Sequence, residues 1–240
     1  MDIIKLNKSQ LDNKRVIKKD TVWTDGKLVY KNSFPFQRMR EYYDIFYLLK
    51  GYEFENLIMP KFELYLEDKP FGYVTEYLCK YKSIKEYINR NNIPYKQKLY
   101  IIKQLIKTIK SMHNELEITH GDLNPSNIMI KNNDLKIIDF DNIGIKGVTK
   151  ESSYKRKELD DMMCLALFII NIISESDFSE DSDLSNVIDL MEVSEEFKKY
   201  LSSCLKCDNS IMGIYPEKYI KEITGTVESN FKKKVRNIRW

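Results

Sequence analysis

The stretch His120-Gly-Asp-Leu-Asn-Pro-Ser-Asn127, followed by Asp139-Phe-Asp141, constrains this chain more than any other feature. Ile118-Thr119 runs into it. Asn127-Ile-Met-Ile130 then reads as a short apolar strand, Lys131-Asn-Asn-Asp134 as a polar hairpin turn and Leu135-Lys-Ile-Ile-Asp139 as a second strand. Such a hairpin holds Asn127 and Asp139 at adjacent strand ends, where an amide oxygen and a carboxylate can grip the same metal ion. Asp and Asn beside Pro favour turns for a simpler reason, since their short side chains cap local backbone groups. The strand–turn–strand context sets these residues apart from a chance collection of turn formers.

Oxygen ligands of this kind are what phosphoryl transfer requires. A γ-phosphate moves only when its charge is neutralised, usually by Mg²⁺, and the attacking hydroxyl is held in line. The motif resembles the catalytic loop and metal-binding turn of the protein-kinase-like superfamily. The resemblance implies an enzyme that moves the γ-phosphoryl group of ATP, with Asp122 orienting the acceptor hydroxyl and Asn127 and Asp139 holding Mg²⁺. It also implies an α+β, two-lobed fold. A small N-terminal antiparallel sheet plus one helix is expected over residues 1–78, a larger, mainly helical lobe over 79–228, and a basic tail over 229–240.

Such an enzyme also needs a cation for the phosphates, and the N-terminal region offers one. Thr21-Val-Trp23 and Leu28-Val-Tyr-Lys31 alternate in polarity around a DG turn, as in a hairpin with Lys31 closing its second strand. Ser33 and Pro35 look like the cap and first turn of a helix running to about Lys50, with Glu41 on one side. On the resemblance, Lys31 holds the α- and β-phosphates and Glu41 aligns it; Lys18 and Asp44 compete for those roles. Leu57–Leu66 and Phe71–Leu78 read as two further strands. The second resembles the family's hinge, with Thr75 at the back of the nucleotide pocket, Glu76 offering its carbonyl and Leu78 its N–H to adenine.

The rest of the chain is patterned as helix. Leu99, Ile102, Leu105, Ile106, Ile109 and Met112 recur at helical spacing between Gln97 and His113, with Lys98, Lys103, Lys107 and Lys110 on the other side. Leu159–Ile173 is apolar nearly all round, as a buried central helix would be. The resemblance assigns Asp161, at its start, to accept backbone N–H bonds from the catalytic loop. Ser194 is placed to cap a helix reaching Leu205, with Glu195 and Glu196 in its first turn. The likeness thus runs from about Val22 to Leu205, and the late helix favours the protein-kinase branch.

Several positions depart from the family's pattern. No glycine precedes Gly26, so the Gly-rich phosphate loop is absent, and Lys18 and Lys19 are the charges that could compensate. Gly121 stands where many protein kinases carry an arginine that reads a phosphorylated activation loop. Asn124 replaces a loop lysine, and Asp141 a glycine. Only residues 140–160 separate Asp139 from Asp161, without Ala-Pro-Glu, leaving Tyr154 and Glu158 as anchors of a shortened segment.

Composition sets the remaining bounds. At 240 residues and 42% hydrophobic the chain can bury one or two cores. Its net charge of +3 with 31% charged residues does not call for nucleic acid, and the basic run Phe231–Trp240 reads as a solvated tail or a contact for an acidic partner. No run approaches the ~20 apolar residues of a membrane span, and the polar N-terminus carries no signal segment, so a cytoplasmic location is expected. Cys79, Cys164, Cys204 and Cys207 are too scattered for a disulfide framework, and Cys204-Leu-Lys-Cys207 lacks the partners of a closed zinc site. The acidic run Glu175–Asp183 reads as a solvated loop. Three functions fit: a minimal serine/threonine protein kinase, a small-molecule kinase like those for aminoglycosides or choline, and an ATP-binding pseudokinase. Intact Asp122, Asn127 and Asp139 weigh against the last. The acceptor is therefore a protein or small-molecule hydroxyl.

Overall fold

The computed structural model describes residues 2–33, 54–90, 93–174, 178 and 183–228. By its contacts the chain divides into two compact units, Met1–Tyr81 with Lys136–Asp141, and Lys82–Leu135 with Asn142–Trp240. Apart from Ser33, the helix expected to run to Lys50, with Glu41 and Asp44, lies outside the described residues, as do most of the acidic run and the whole basic tail.

The first unit is a sheet. It begins with β1 (Asp2–Leu6) and a short helix α1 (Lys8–Asp12), whose start is fixed by a reciprocal cap between Asn7 and Gln10. β2 (Arg15–Lys18), β3 (Val22–Thr24), β4 (Leu28–Asn32), β5 (Phe62–Leu66) and β6 (Lys69–Glu76) follow. The strand order is β1-β5-β6-β4-β3-β2. Every pairing is antiparallel except at one edge, where β1 runs parallel to β5. Sequence patterning does not reveal β1, α1 or β2. All four residues of β2 are exposed, so no burial signal marks it. The β3–β4 turn is well specified: Asp25 Oδ1 accepts the N–H groups of Lys27 and Leu28, and Gly26 takes φ 91. Leu11, Trp23, Tyr30, Leu64 and Val74 form the core on one face.

The strand-like run from Leu57 is shorter than its composition suggests. β5 starts only at Phe62, because Pro60 has no N–H for a ladder. Leu57 instead forms a lone parallel bridge with Ile137. Ile58 N–H donates to Ile137 O at 2.9 Å, and Ile137 N–H to Asn56 O at 2.7 Å. These bonds stitch the segment bearing Asp139 into the first unit.

The second unit is mainly helical. In chain order it contains β7 (Lys82–Ser83), α2 (Ile84–Arg90), α3 (Tyr95–Asn114), β8 (Ile118–Thr119), β9 (Ile128–Lys131), the start of β10 (Asp134–Ile137), β11 (Gly144–Ile145), α4 (Glu151–Ser174), α5 (Ser185–Asp189), α6 (Glu195–Leu205) and α7 (Ile220–Glu228). The short strands form two ribbons, β10-β9-β7 and β11-β8. α3 buries Ile101, Ile102, Leu105, Ile106, Ile109 and Met112 almost completely. Lys98 departs from the expected polar face: it is buried, and burial lowers its pKa.

α4 packs against α3 and α6. It begins well before the apolar run at Leu159. The early turns look polar, yet Tyr154, Glu158 and Asp161, at i, i+4 and i+7, are all buried along one face. Tyr154 and Glu158, expected to anchor the shortened segment, are buried residues of this helix. α6 starts where expected, with Ser194 Oγ accepting the Phe197 N–H. Burial raises the Cys204 thiol on its inner face to about 12. Among the described residues, no helix is long and apolar enough to cross a membrane.

Candidate active site

In the first unit, strand alternation directs Tyr30 into the core and Lys31 to the opposite face of β4. The β4–β6 register sets Lys31 opposite Tyr73 and Asn32 opposite Gly72. The Lys31 ammonium pairs with the Asp139 carboxylate, and with Asp141 Oδ2 at 2.8 Å. It lies 5.6 Å from the centre of the Tyr73 ring. Ser33 Oγ, itself buried, donates to Asp141 Oδ1 at 3.2 Å. Burial, then the charges of Asp141 and Asp139 and a hydrogen bond to Asp141, raise the Tyr73 hydroxyl well above its usual pKa, so it stays neutral. Asp139 adopts φ 72, a left-handed conformation that aspartate tolerates better than most side chains.

Charge decides what this cluster suits. Among the described residues, one ammonium faces two carboxylates, which leaves an excess negative charge carried on hard oxygen atoms. That donor set fits a hard divalent cation such as Mg²⁺.

In the second unit the catalytic-loop residues hang on one buried carboxylate. Asp161, fully buried, accepts the His120 N–H on Oδ2 at 2.7 Å and the Gly121 N–H on Oδ1 at 2.9 Å. His113 Nε2 lies 3.0 Å from the same Oδ2, and its Nδ1 lies 3.0 Å from the Tyr215 hydroxyl. Two backbone N–H bonds to a buried carboxyl acceptor fix the loop's path. The expected scaffolding role of Asp161 is what the geometry shows. The next residue, Asp122, is exposed, and its N–H donates to His120 Nδ1 at 3.3 Å. Asn127 Nδ2 donates to Asp122 O at 2.9 Å, which leaves the amide oxygen as the atom chemically able to bind a metal. Asn124 Nδ2 lies 3.5 Å from Asp122 Oδ1.

The hinge and phosphate-loop positions are plainer. Glu76 ends β6 and its side chain pairs with Lys61 at 2.8 Å on the surface. Leu78 falls past the strand, in a turn where Tyr77 N–H donates to Lys27 O and Cys79 N–H to Tyr77 O. Thr75 Oγ1 donates to Met59 O. β2 and β3 are joined through Asp20, whose φ of 59 is a left-handed turn position that aspartate tolerates without glycine. Lys18 and Lys19 are exposed on it.

Sequence reasoning did not assign Asp141 to the Lys31 ion pair, nor find Tyr73 and His113. Asp141 was legible as a second carboxylate in Asp-Phe-Asp. Tyr73 and His113 carry no local signal, because cross-strand register and helix packing bring them in.

The loop held by a buried aspartate in one unit, and the lysine-carboxylate cluster in the other, carry the residues on which the protein-kinase-like resemblance rests. A comparison with family models agrees: the protein kinase domain model matches residues 27–146. The chain belongs to the protein kinase domain family. It is also 34% identical over 100 residues to a curated protein of Acanthamoeba polyphaga mimivirus called "Putative serine/threonine-protein kinase L268", covering 42% of this chain and 17% of that one. A second protein of that virus, "Putative serine/threonine-protein kinase L673", is 39% identical over 75 residues, or 31% of this chain and 14% of the relative. The chain spans less than a fifth of the length of these relatives.

Proposed function

We propose that this chain is an ATP- and Mg²⁺-dependent kinase that phosphorylates serine or threonine hydroxyls of a protein. The observation that carries it is the buried Asp161 carboxylate holding the backbone on the N-terminal side of Asp122, which presents an exposed carboxylate on a rigid loop. In the reaction the acceptor oxygen attacks the γ-phosphorus as the bond to the β-phosphate oxygen breaks. The Asp122 carboxylate takes the hydroxyl proton and ADP departs. Lys31 supplies the fixed positive charge for the non-transferred phosphates, with Glu41 as its aligning partner in the family's pattern. Asn127 and Asp139 are the ligating side chains for Mg²⁺, which when bound would neutralise phosphate charge. The backbone of Glu76 and Leu78 is the adenine contact. In this reading residues 1–78 serve as the nucleotide-binding lobe and residues 79–228 as the catalytic lobe. The relatives' printed names support a serine/threonine acceptor, and a cytoplasmic setting suits such a substrate.

One observation favours a small-molecule acceptor instead. α4 starts at Glu151, so only residues 142–150 lie between the Asp-Phe-Asp turn and that helix, and two of them pair in β11. Little chain is left to dock a peptide. Incubation with γ-labelled ATP and Mg²⁺, alone, with a generic basic protein, and with aminoglycosides or choline, separates the two readings by where label appears. Asp122→Asn is expected to lower transfer at least about 100-fold while ATP still binds. Transfer at the unaltered rate by that variant would remove Asp122 from its role.

A further inference from the structure

Gly121 removes the cation that many family members use to read a phosphorylated segment, yet the space it vacates is filled. The aliphatic stem of Lys157, from the second turn of α4, passes between two glycines. A Cβ on Gly121 would meet Lys157 Cδ at 2.9 Å and Cγ at 3.0 Å, and one on Gly144 would meet Cδ at 3.2 Å. At the end of that stem Lys157 Nζ donates to Asn142 O, to Asn142 Oδ1 at 3.2 Å and to Ile143 O at 3.4 Å. Asn142 Nδ2 in turn donates to Gly121 O at 2.9 Å. The catalytic loop and the segment that follows the Asp-Phe-Asp turn are thereby tied to one ammonium.

Gly121 sits at φ 72, and a Cβ there would also meet Asn142 O at 2.5 Å. The close approach is therefore specific to glycine. Burial lowers the Lys157 pKa, opposed by the charges of Asp161 and Asp160. The ammonium's three acceptors are neutral oxygens, so the tether needs no added phosphate.

We propose that Lys157 is a positioning residue that holds Gly121, Asp122 and residues 142–144 in their working arrangement permanently, in place of a phosphorylation switch. The inference rests on the kinase reading above for its effect on rate. Its geometric content does not.

Lys157→Met keeps the stem and deletes the ammonium. The expected result is an unchanged thermal midpoint and KM for ATP, a kcat lowered about tenfold or more, and faster amide hydrogen exchange at Gly121, Asp122 and residues 143–145. Lys157 lines an open concavity of about 550 Å³, so Lys157→Ala should regain activity with added propylamine. Phosphatase treatment of the unaltered protein should leave its kcat intact. The proposal is overturned by a Lys157→Met kcat within about twofold of the original, by unchanged exchange at those amides, or by loss of activity on phosphatase treatment. Should Lys157→Met fail to fold, Asn142→Ala, at an exposed position, removes the link from this tether to Gly121 O while sparing the Lys157 bonds to backbone oxygens, and is judged by the same readings. Absence of transfer by the unaltered protein would defeat the kinase reading, while hydrogen exchange would still decide the tether.

Discussion

At the residue scale the cluster around Lys31 depends on a glycine. A Cβ at Gly72 would lie well inside contact distance of Lys31 O and 2.7 Å from Ser33 N, both backbone atoms that a rotamer change cannot move. Gly72→Ala is expected to cost about 1–3 kcal/mol and, on the proposed role of Lys31, to weaken ATP binding, because β4 must shift at that residue. Thermal unfolding and nucleotide titration check this; unchanged midpoint and affinity would show that the Lys31 backbone has slack. Asp122, Asn127, Asp139 and Lys31 were legible because each lies in a short stretch with its own strand or turn signal. The task of Asp141 was not, since its partners Lys31 and Ser33 are more than a hundred residues away in sequence.

At the element scale, α4 organises the second unit through Asp161. Removing its carboxylate strands two backbone N–H groups and one nitrogen of His113 in a place without water. Asp161→Ala is expected to lose roughly 3–5 kcal/mol and phosphoryl transfer with it, measured by urea unfolding and the labelled-ATP assay. Asp161→Asn, which keeps the shape and one acceptor, should fall between. Full stability in the alanine variant would mean that the loop holds itself. The helix's apolar run was visible in sequence. Its first two turns were not, because most residues from Glu151 to Glu158 are polar, and packing is what buries Tyr154 and Glu158.

At the scale of the whole molecule, aromatic burial sets an alkaline limit. Burial is the largest cause raising Tyr30, Tyr73, Tyr154, Tyr200 and Tyr215 above the ordinary value of 10, Tyr154 to about 12. Above pH 10 the unfolded chain loses these protons while the folded one keeps them, so the unfolded state binds fewer protons and stability falls as pH rises. The slope is up to about 1.4 kcal/mol per pH unit for each such tyrosine. Unfolding free energies measured from pH 9 to 11.5 should be flat and then decline; a flat profile throughout would contradict the burial. The amino-acid sequence by itself determined the family and the alternation of sheet and helix, because those signals lie within a few residues and repeat at the period of a strand or helix. Only the tertiary structure decided which distant side chains meet: Asp141 with Lys31, His113 with Asp161, and Lys157 between Gly121 and Gly144. Such meetings depend on register and close packing, and no local propensity encodes them.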